Sequence, residues 1–143
     1  MASRMESVAA EVGLSMKQRD LIINSRRALS AAEFAREAGR FEAMHEALFK
    51  AHWEGTAKLE SVDDLVRIGE SIGLDTAELR QAIDEDRYHD LLDQSRAEAG
   101  SVGINAIPAH IFGNRYLVVG AHPYDAFVQV LDRLRKEREA GEA

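Results

Sequence analysis

The chain has 143 residues, a formal net charge of −7 and no cysteine. That length suits one domain with a real hydrophobic core. The missing thiols exclude a disulfide, a thiolate zinc site, an iron–sulfur cluster and a thiol nucleophile within these residues. The acidic balance speaks against a nucleic-acid partner, which needs clustered Lys and Arg to neutralise phosphates. No apolar run approaches the roughly 18 residues required of a membrane span.

The opening text, MASRMESVAAEVG, has no apolar stretch of signal-peptide length, so a cytoplasmic location is expected. Residues 5–12 read as a short amphipathic segment stopped by Gly13. Leu14 to Ile23 is mixed, with Leu21, Ile22 and Ile23 as a short buried run or the start of a helix. Asn24 stands where an N-cap belongs, before a predicted helix over 25–38 that Gly39 ends. Its apolar face is alanine: Ala28, Ala31, Ala32, Ala35 and Ala38. Small residues at that spacing permit close helix–helix approach. The next predicted helix, 41–54, places Phe41, Met44, Leu48, Phe49 and Trp53 at helical spacing.

Ser61 and Asp64 resemble a capping box, with Asp in place of the usual Glu. The helix they open carries Val62, Leu65, Val66, Gly69 and Ile72 inward and stops at Gly73. Asp75 caps a further helix over 76–83, and another covers 88–99, with Leu79, Ile83, Leu91, Leu92 and Ser95 facing in. The pattern changes at Val102. A strand over 109–112, a Gly113-Asn114 turn and a strand over 115–119 form a hairpin, because Gly and Asn tolerate the positive φ such turns require. Pro123 suits the first turn of a final helix lined by Tyr124, Phe127, Val128, Leu131 and Leu134. The terminal KEREAGEA is expected to fray. No repeat or low-complexity linker interrupts the sequence, so a single domain is expected.

Other constellations fail on spacing. HEALFKAH lacks the second histidine of His-Glu-x-x-His: Phe49 stands there, and His45 and His52 lie ~10 Å apart along a helix axis. No Gly-x-Ser-x-Gly elbow or phosphate-binding glycine loop occurs. No metal site and no cofactor are expected. The acid pairs Asp63-Asp64 and Asp84 to Asp86 read as charges favoured near helix starts.

Two separated motifs, Asn105-Ala106-Ile107-Pro108-Ala109 and Gly120-Ala121-His122-Pro123, follow a helical block that begins NSRRALSAAEFAREAGRFEAMHEALFKAHW. Together they resemble the DsbA-like thioredoxin-fold oxidoreductases. The nearest branch is the cytoplasmic one named after FrnE, related to 2-hydroxychromene-2-carboxylate isomerases and kappa-class glutathione transferases. The resemblance covers about 24–135. It implies an α+β, mostly helical fold: a helical subdomain over about 20–100, then a thioredoxin-like ββα over 101–137. It also implies a cis bond at Ile107-Pro108, whose loop faces an extended substrate; the cis penalty before proline is only ~0.5–1 kcal/mol. The substrate-facing residues are then Ala106, Ile107, Pro108 and Ala109, with His110 and His122 as further candidates, His122 replacing the family's usual glutamine.

A complete member of that family begins with β-α-β and carries Cys-x-x-Cys, or a serine in the isomerases, at the first helix. Nothing before the helical block reads that way, so the chain resembles the C-terminal two-thirds of the family. Redox chemistry is not expected of these residues by themselves. The alternatives are a module that binds an extended peptide or small ligand without chemistry, and an isomerase or transferase relative. A lone hairpin is marginal and leaves its edges open, so homodimerisation through residues 109–119 is expected to complete the sheet.

Overall fold

The computed structural model describes residues 2–14, 16 and 23–141. The leucine and isoleucine expected at 21 and 22 as a buried run lie outside the described residues; Ile23 is partly buried against the core. Seven helices and two strands occur among the described residues: α1 (Ala2–Glu11), α2 (Arg26–Glu37), α3 (Phe41–Glu54), α4 (Val62–Ser71), α5 (Thr76–Asp84), α6 (His89–Ser101), β1 (Ala109–Phe112), β2 (Tyr116–Val119) and α7 (Tyr124–Gly141). Contacts divide the chain into two compact units, residues 1–92 and 93–143.

The larger unit holds the core. Helix α2 packs on α3, α4 and α5, and α4 packs on α5. Alanine is what lets them come close: Ala28, Ala31, Ala32 and Ala35 are all buried, and Phe34 fills the space beside them. Ala38, expected on the same face, is exposed, because α2 has ended at Glu37. Met44, Leu65 and Leu79 are the largest fully buried side chains. Gly69 on α4 marks the closest approach, since a Cβ there would sit 2.4 Å from Leu79 Cδ2.

Helix starts follow local hydrogen-bond chemistry. Ser61 Oγ accepts from Asp64 N at 3.3 Å, and Asp75 Oδ1 accepts from Glu78 N at 2.9 Å. The expected return arm from Asp64 to the cap residue goes elsewhere. Its carboxylate accepts from Lys58 N at 2.6 Å and from Arg67, bonds that hold its pKa below the usual carboxylate range, Lys58 first. Aspartate is one methylene shorter than the glutamate of a capping box, and here it reaches the preceding turn instead. Asn24 is not the N-cap of α2: Ser25 holds that position without a side-chain bond, and Asn24 Oδ1 accepts from Arg26 N at 3.0 Å.

Some inward assignments are corrected, among them Tyr124 and Leu131 of α7, which are 80% and 49% exposed. Phe49 on α3 is 53% exposed, because Met44, Leu48 and Ala51 already fill the inward face. Leu91 and Ser95 on α6 are exposed, and only Leu92 of that helix packs against the core. Helix α7 starts at Tyr124, leaving Pro123 just outside it, and runs to Gly141 rather than fraying at Lys136.

Candidate functional site

The smaller unit is organised by its hairpin. Strands β1 and β2 pair antiparallel, with Ala109 opposite Val119, His110 opposite Val118, Ile111 opposite Leu117 and Phe112 opposite Tyr116. Gly113 and Asn114 both take positive φ, and Arg115 N donates to Phe112 O at 3.0 Å, so the turn has the mirror-image geometry suited to twisted strands. Arg115 belongs to the turn, and pairing begins at Tyr116, one residue later than the sequence suggests.

Alternation along the strands separates two faces. His110, Phe112, Tyr116 and Val118 share the face toward α7. There the Phe127 ring meets His110 at 4.9 Å and Phe112 at 5.9 Å between centroids. Farther along, Glu137 binds Tyr116 Oη, accepts from Arg133 Nε at 3.1 Å and lies 3.3 Å from Arg115 Nη1. The Tyr116 hydroxyl, then Arg133, holds the Glu137 carboxyl below the usual range; the same bond pushes the Tyr116 phenol up. The Arg133 guanidinium also sits 5.0 Å from the Tyr116 ring centre.

The opposite face carries Ala109, Ile111, Leu117 and Val119, four apolar residues of four. Ile111 is 51% exposed and Leu117 37%. Such two-sided apolar strands are typical of sheets covered on both faces.

The proline loop lies at one end of this hairpin. The Ile107–Pro108 peptide is cis, and Gly120 N donates to Pro108 O at 2.7 Å. That bond ties the loop to the end of β2. Gly120 has φ +98°, a conformation that L side chains rarely adopt. Ile107 is 89% exposed, Ala106 and Pro108 are exposed, and Ala109 is half-buried where β1 begins. Ile107 thus stands in solvent on a loop tied to the end of β2.

The two candidate histidines lie against Phe127. His122 Nε2–H donates to Val119 O at 3.0 Å, and its ring lies 6.5 Å from that of Phe127. His110 packs against the same phenyl ring from β1. Phe127 is therefore the common support of both imidazoles. Sequence reasoning placed it only in a helix stripe, and the strand register was the missing signal. Among the described residues no three metal-ligating side chains come together, and no helix is long and apolar enough to cross a membrane.

The family profile of the DSBA-like thioredoxin domain matches residues 1–132. The chain belongs to the DSBA-like thioredoxin domain family. It is similar to the uncharacterised protein YwbO of Bacillus subtilis strain 168, with 25% identity over 112 residues, 78% of this chain and 56% of YwbO. Its fold matches the crystal structure of a "probable DsbA oxidoreductase" from Streptomyces coelicolor with a TM-score of 0.80 at 25% identity. That match covers 94% of this chain and 59% of the other. The chain thus spans little more than half the length of each relative. Within this DSBA-like domain the expected helical block and C-terminal ββα are both present, and residues 1–143 contain no cysteine.

Proposed function

We propose that residues 106–109 are the substrate-facing loop of a DsbA-type oxidoreductase fold, and that this chain contributes recognition rather than chemistry. The observation that carries the reading is Ile107, 89% exposed on a loop pinned by the Gly120 N to Pro108 O bond. An exposed backbone segment in that position can pair with an extended peptide, where main-chain bonds give affinity and neighbouring side chains give selectivity. Ala106 and Ala109 leave room for the peptide on both sides. His110 and His122 set the polarity of its surroundings. Thiol–disulfide exchange begins with attack by a thiolate, and none of these residues can supply one. The dithiol of that chemistry would come from outside these 143 residues. Within the family, the two motifs favour the FrnE-like branch, and with it a cytoplasmic location.

The test is binding of a reduced, alkylated and labelled insulin B chain, measured by anisotropy, beside an insulin-reduction assay. Binding without reduction is the expected result. Ile107→Glu, at an exposed position, should weaken binding about tenfold, roughly 1.4 kcal/mol, with the fold intact by circular dichroism. Equal binding by the variant, or reduction of insulin by the chain alone, overturns the reading.

The uncovered Ile111 and Leu117 favour one addition: a second copy closes the sheet through the 109–119 hairpin. Sedimentation should then give a dimer at micromolar concentration, and Ile111→Asp a monomer. A wild-type chain that sediments as a monomer refutes this.

A further inference from the structure

Helix α3 has two ring- or methyl-bearing faces, and only one of them is used by the core. Met44, Leu48 and Ala51 are buried inward. Phe41, His45 and Phe49 fall at i, i+4 and i+8 along a neighbouring line, each step displaced by about 40°. Their rings form a continuous ladder. Phe41 and His45 stack at 5.4 Å with a 26° interplanar angle, and His45 and Phe49 follow at 4.7 Å. Phe41 roots the ladder in the core, while His45 and Phe49 stand in solvent. Beyond them, His52 meets the Trp53 ring edge-on at 4.7 Å.

The chemistry that this ladder accepts is demonstrated once by the chain itself. The Arg36 guanidinium lies 3.7 Å from the Phe41 ring centre and is paired with Glu33 at 2.8 Å. A ring below and a carboxylate beside is the arrangement a guanidinium prefers, because its planar, weakly hydrated cation stacks and bonds at once. Farther down α3 both signs of charge flank the rings, the exposed Lys50 directly after Phe49 and two carboxylates before it. Glu42 and Glu46 are exposed and stand three residues before His45 and Phe49, which makes them their neighbours on the helix surface.

We propose that the outer face of α3, His45 and Phe49 edged by Glu42 and Glu46, docks an arginine-bearing segment of a partner protein. Charge selects this occupant. The carboxylates and the net charge of −7 repel nucleic acid and anionic lipid. A convex helix face offers none of the concavity that small ligands require. Arginine is preferred to lysine because the exposed Phe49 ring offers a flat face to stack on, and an ammonium gains mainly the charge term.

Trp53 is the chain's single tryptophan and follows Phe49 by one turn, so its fluorescence reports on this face. The experiment titrates the full chain with a short tryptophan-free helical peptide carrying arginine on one face. Parallel titrations use the same peptide with lysine or glutamine in those positions. A saturable fluorescence change is expected, about fivefold weaker for lysine and absent for glutamine. Phe49→Ala, at an exposed position, should abolish it. Glu42→Gln with Glu46→Gln should weaken it about fivefold and flatten its salt dependence. Glu70→Gln with Asp90→Asn, which removes equal charge elsewhere on the helical unit, should leave it unchanged. No saturable change up to millimolar peptide overturns the proposal. So does equal binding by Phe49→Ala, equal binding of the glutamine peptide, or equal weakening by the distant charge pair.

Discussion

The phenol of Tyr88 donates to Glu37 Oε2 at 2.7 Å across 51 positions of sequence, joining the residue just before α6 to the last turn of α2. The Tyr88 ring is buried at 5% exposure, while the carboxylate it meets is at the surface. Burial first, then the Glu37 carboxylate, pushes the phenol up to about 12 from an ordinary value of 10.0. A folded-state value above the unfolded one means that stability is fully present below pH 10.0 and is lost as pH rises toward about 12. Tyr88→Phe should cost about 1 kcal/mol at neutral pH, a typical net hydrogen-bond contribution, and should remove that alkaline loss. Urea unfolding of both proteins at neutral pH and above pH 10 checks it.

Gly69 sets how closely α4 can approach α5. Alanine there gains up to about 1 kcal/mol of helix propensity. It also puts a methyl 2.4 Å from Leu79 Cδ2, in a site where Leu79 is fully buried and Leu74 stands 3.5 Å away. Overpacking of that kind costs about 1–3 kcal/mol, so Gly69→Ala is expected to be a net destabiliser. In a Leu79→Ala background the sign should reverse, because the clashing atom is gone. A double-mutant cycle by denaturant unfolding reads the coupling directly.

The two side-chain caps differ in strength. Asp75→Ala should cost about 1 kcal/mol, losing a 2.9 Å bond and a favourable charge at the start of α5. Ser61→Ala should cost less, since its bond to Asp64 N is 3.3 Å and neutral. Equal losses in thermal unfolding would contradict the ranking.

Glu137 clamps the hairpin to α7. Its folded-state pKa lies below the ordinary value, so its contribution is full above that value and fades as pH falls through the folded one. Tyr116, shifted up by the same bond, adds a loss on the alkaline side. Glu137→Ala should raise amide exchange at Arg115 and Gly120 while leaving amides of α2 and α5 unchanged. Exchange mass spectrometry at peptide resolution suffices.

Much of this architecture can be read from local chemistry. Glycines at 39, 73 and 113, the caps at Ser61 and Asp75, and the alanine line of α2 each encode their element within a few residues. What escapes such reading depends on three-dimensional competition. Phe49 and Met44 look equally inward by spacing, and only the space available beside α2 decides that Met44 enters the core. Asp64 looks like the return arm of a capping box until its shorter side chain finds Lys58 N. At the candidate site, the loop residues 106–109 form one contiguous stretch and are legible together. Phe127 joins His110 and His122 only once the strand register and the path of α7 are fixed.

Among the described residues, none beyond Tyr88 is buried. The smaller unit, residues 93–143, is held by one hairpin, ring contacts around Phe127 and a polar clamp. Cooperativity follows from shared apolar burial, and here it is concentrated in the helices before residue 89. Heating the monomeric Ile111→Asp chain should therefore give two transitions rather than one, with a total calorimetric enthalpy above the van 't Hoff value of the whole endotherm. Whatever covers Ile111 and Leu117 would merge the two into a single event. Melting cooperativity thus becomes an assay for the covering partner, requiring no knowledge of its identity.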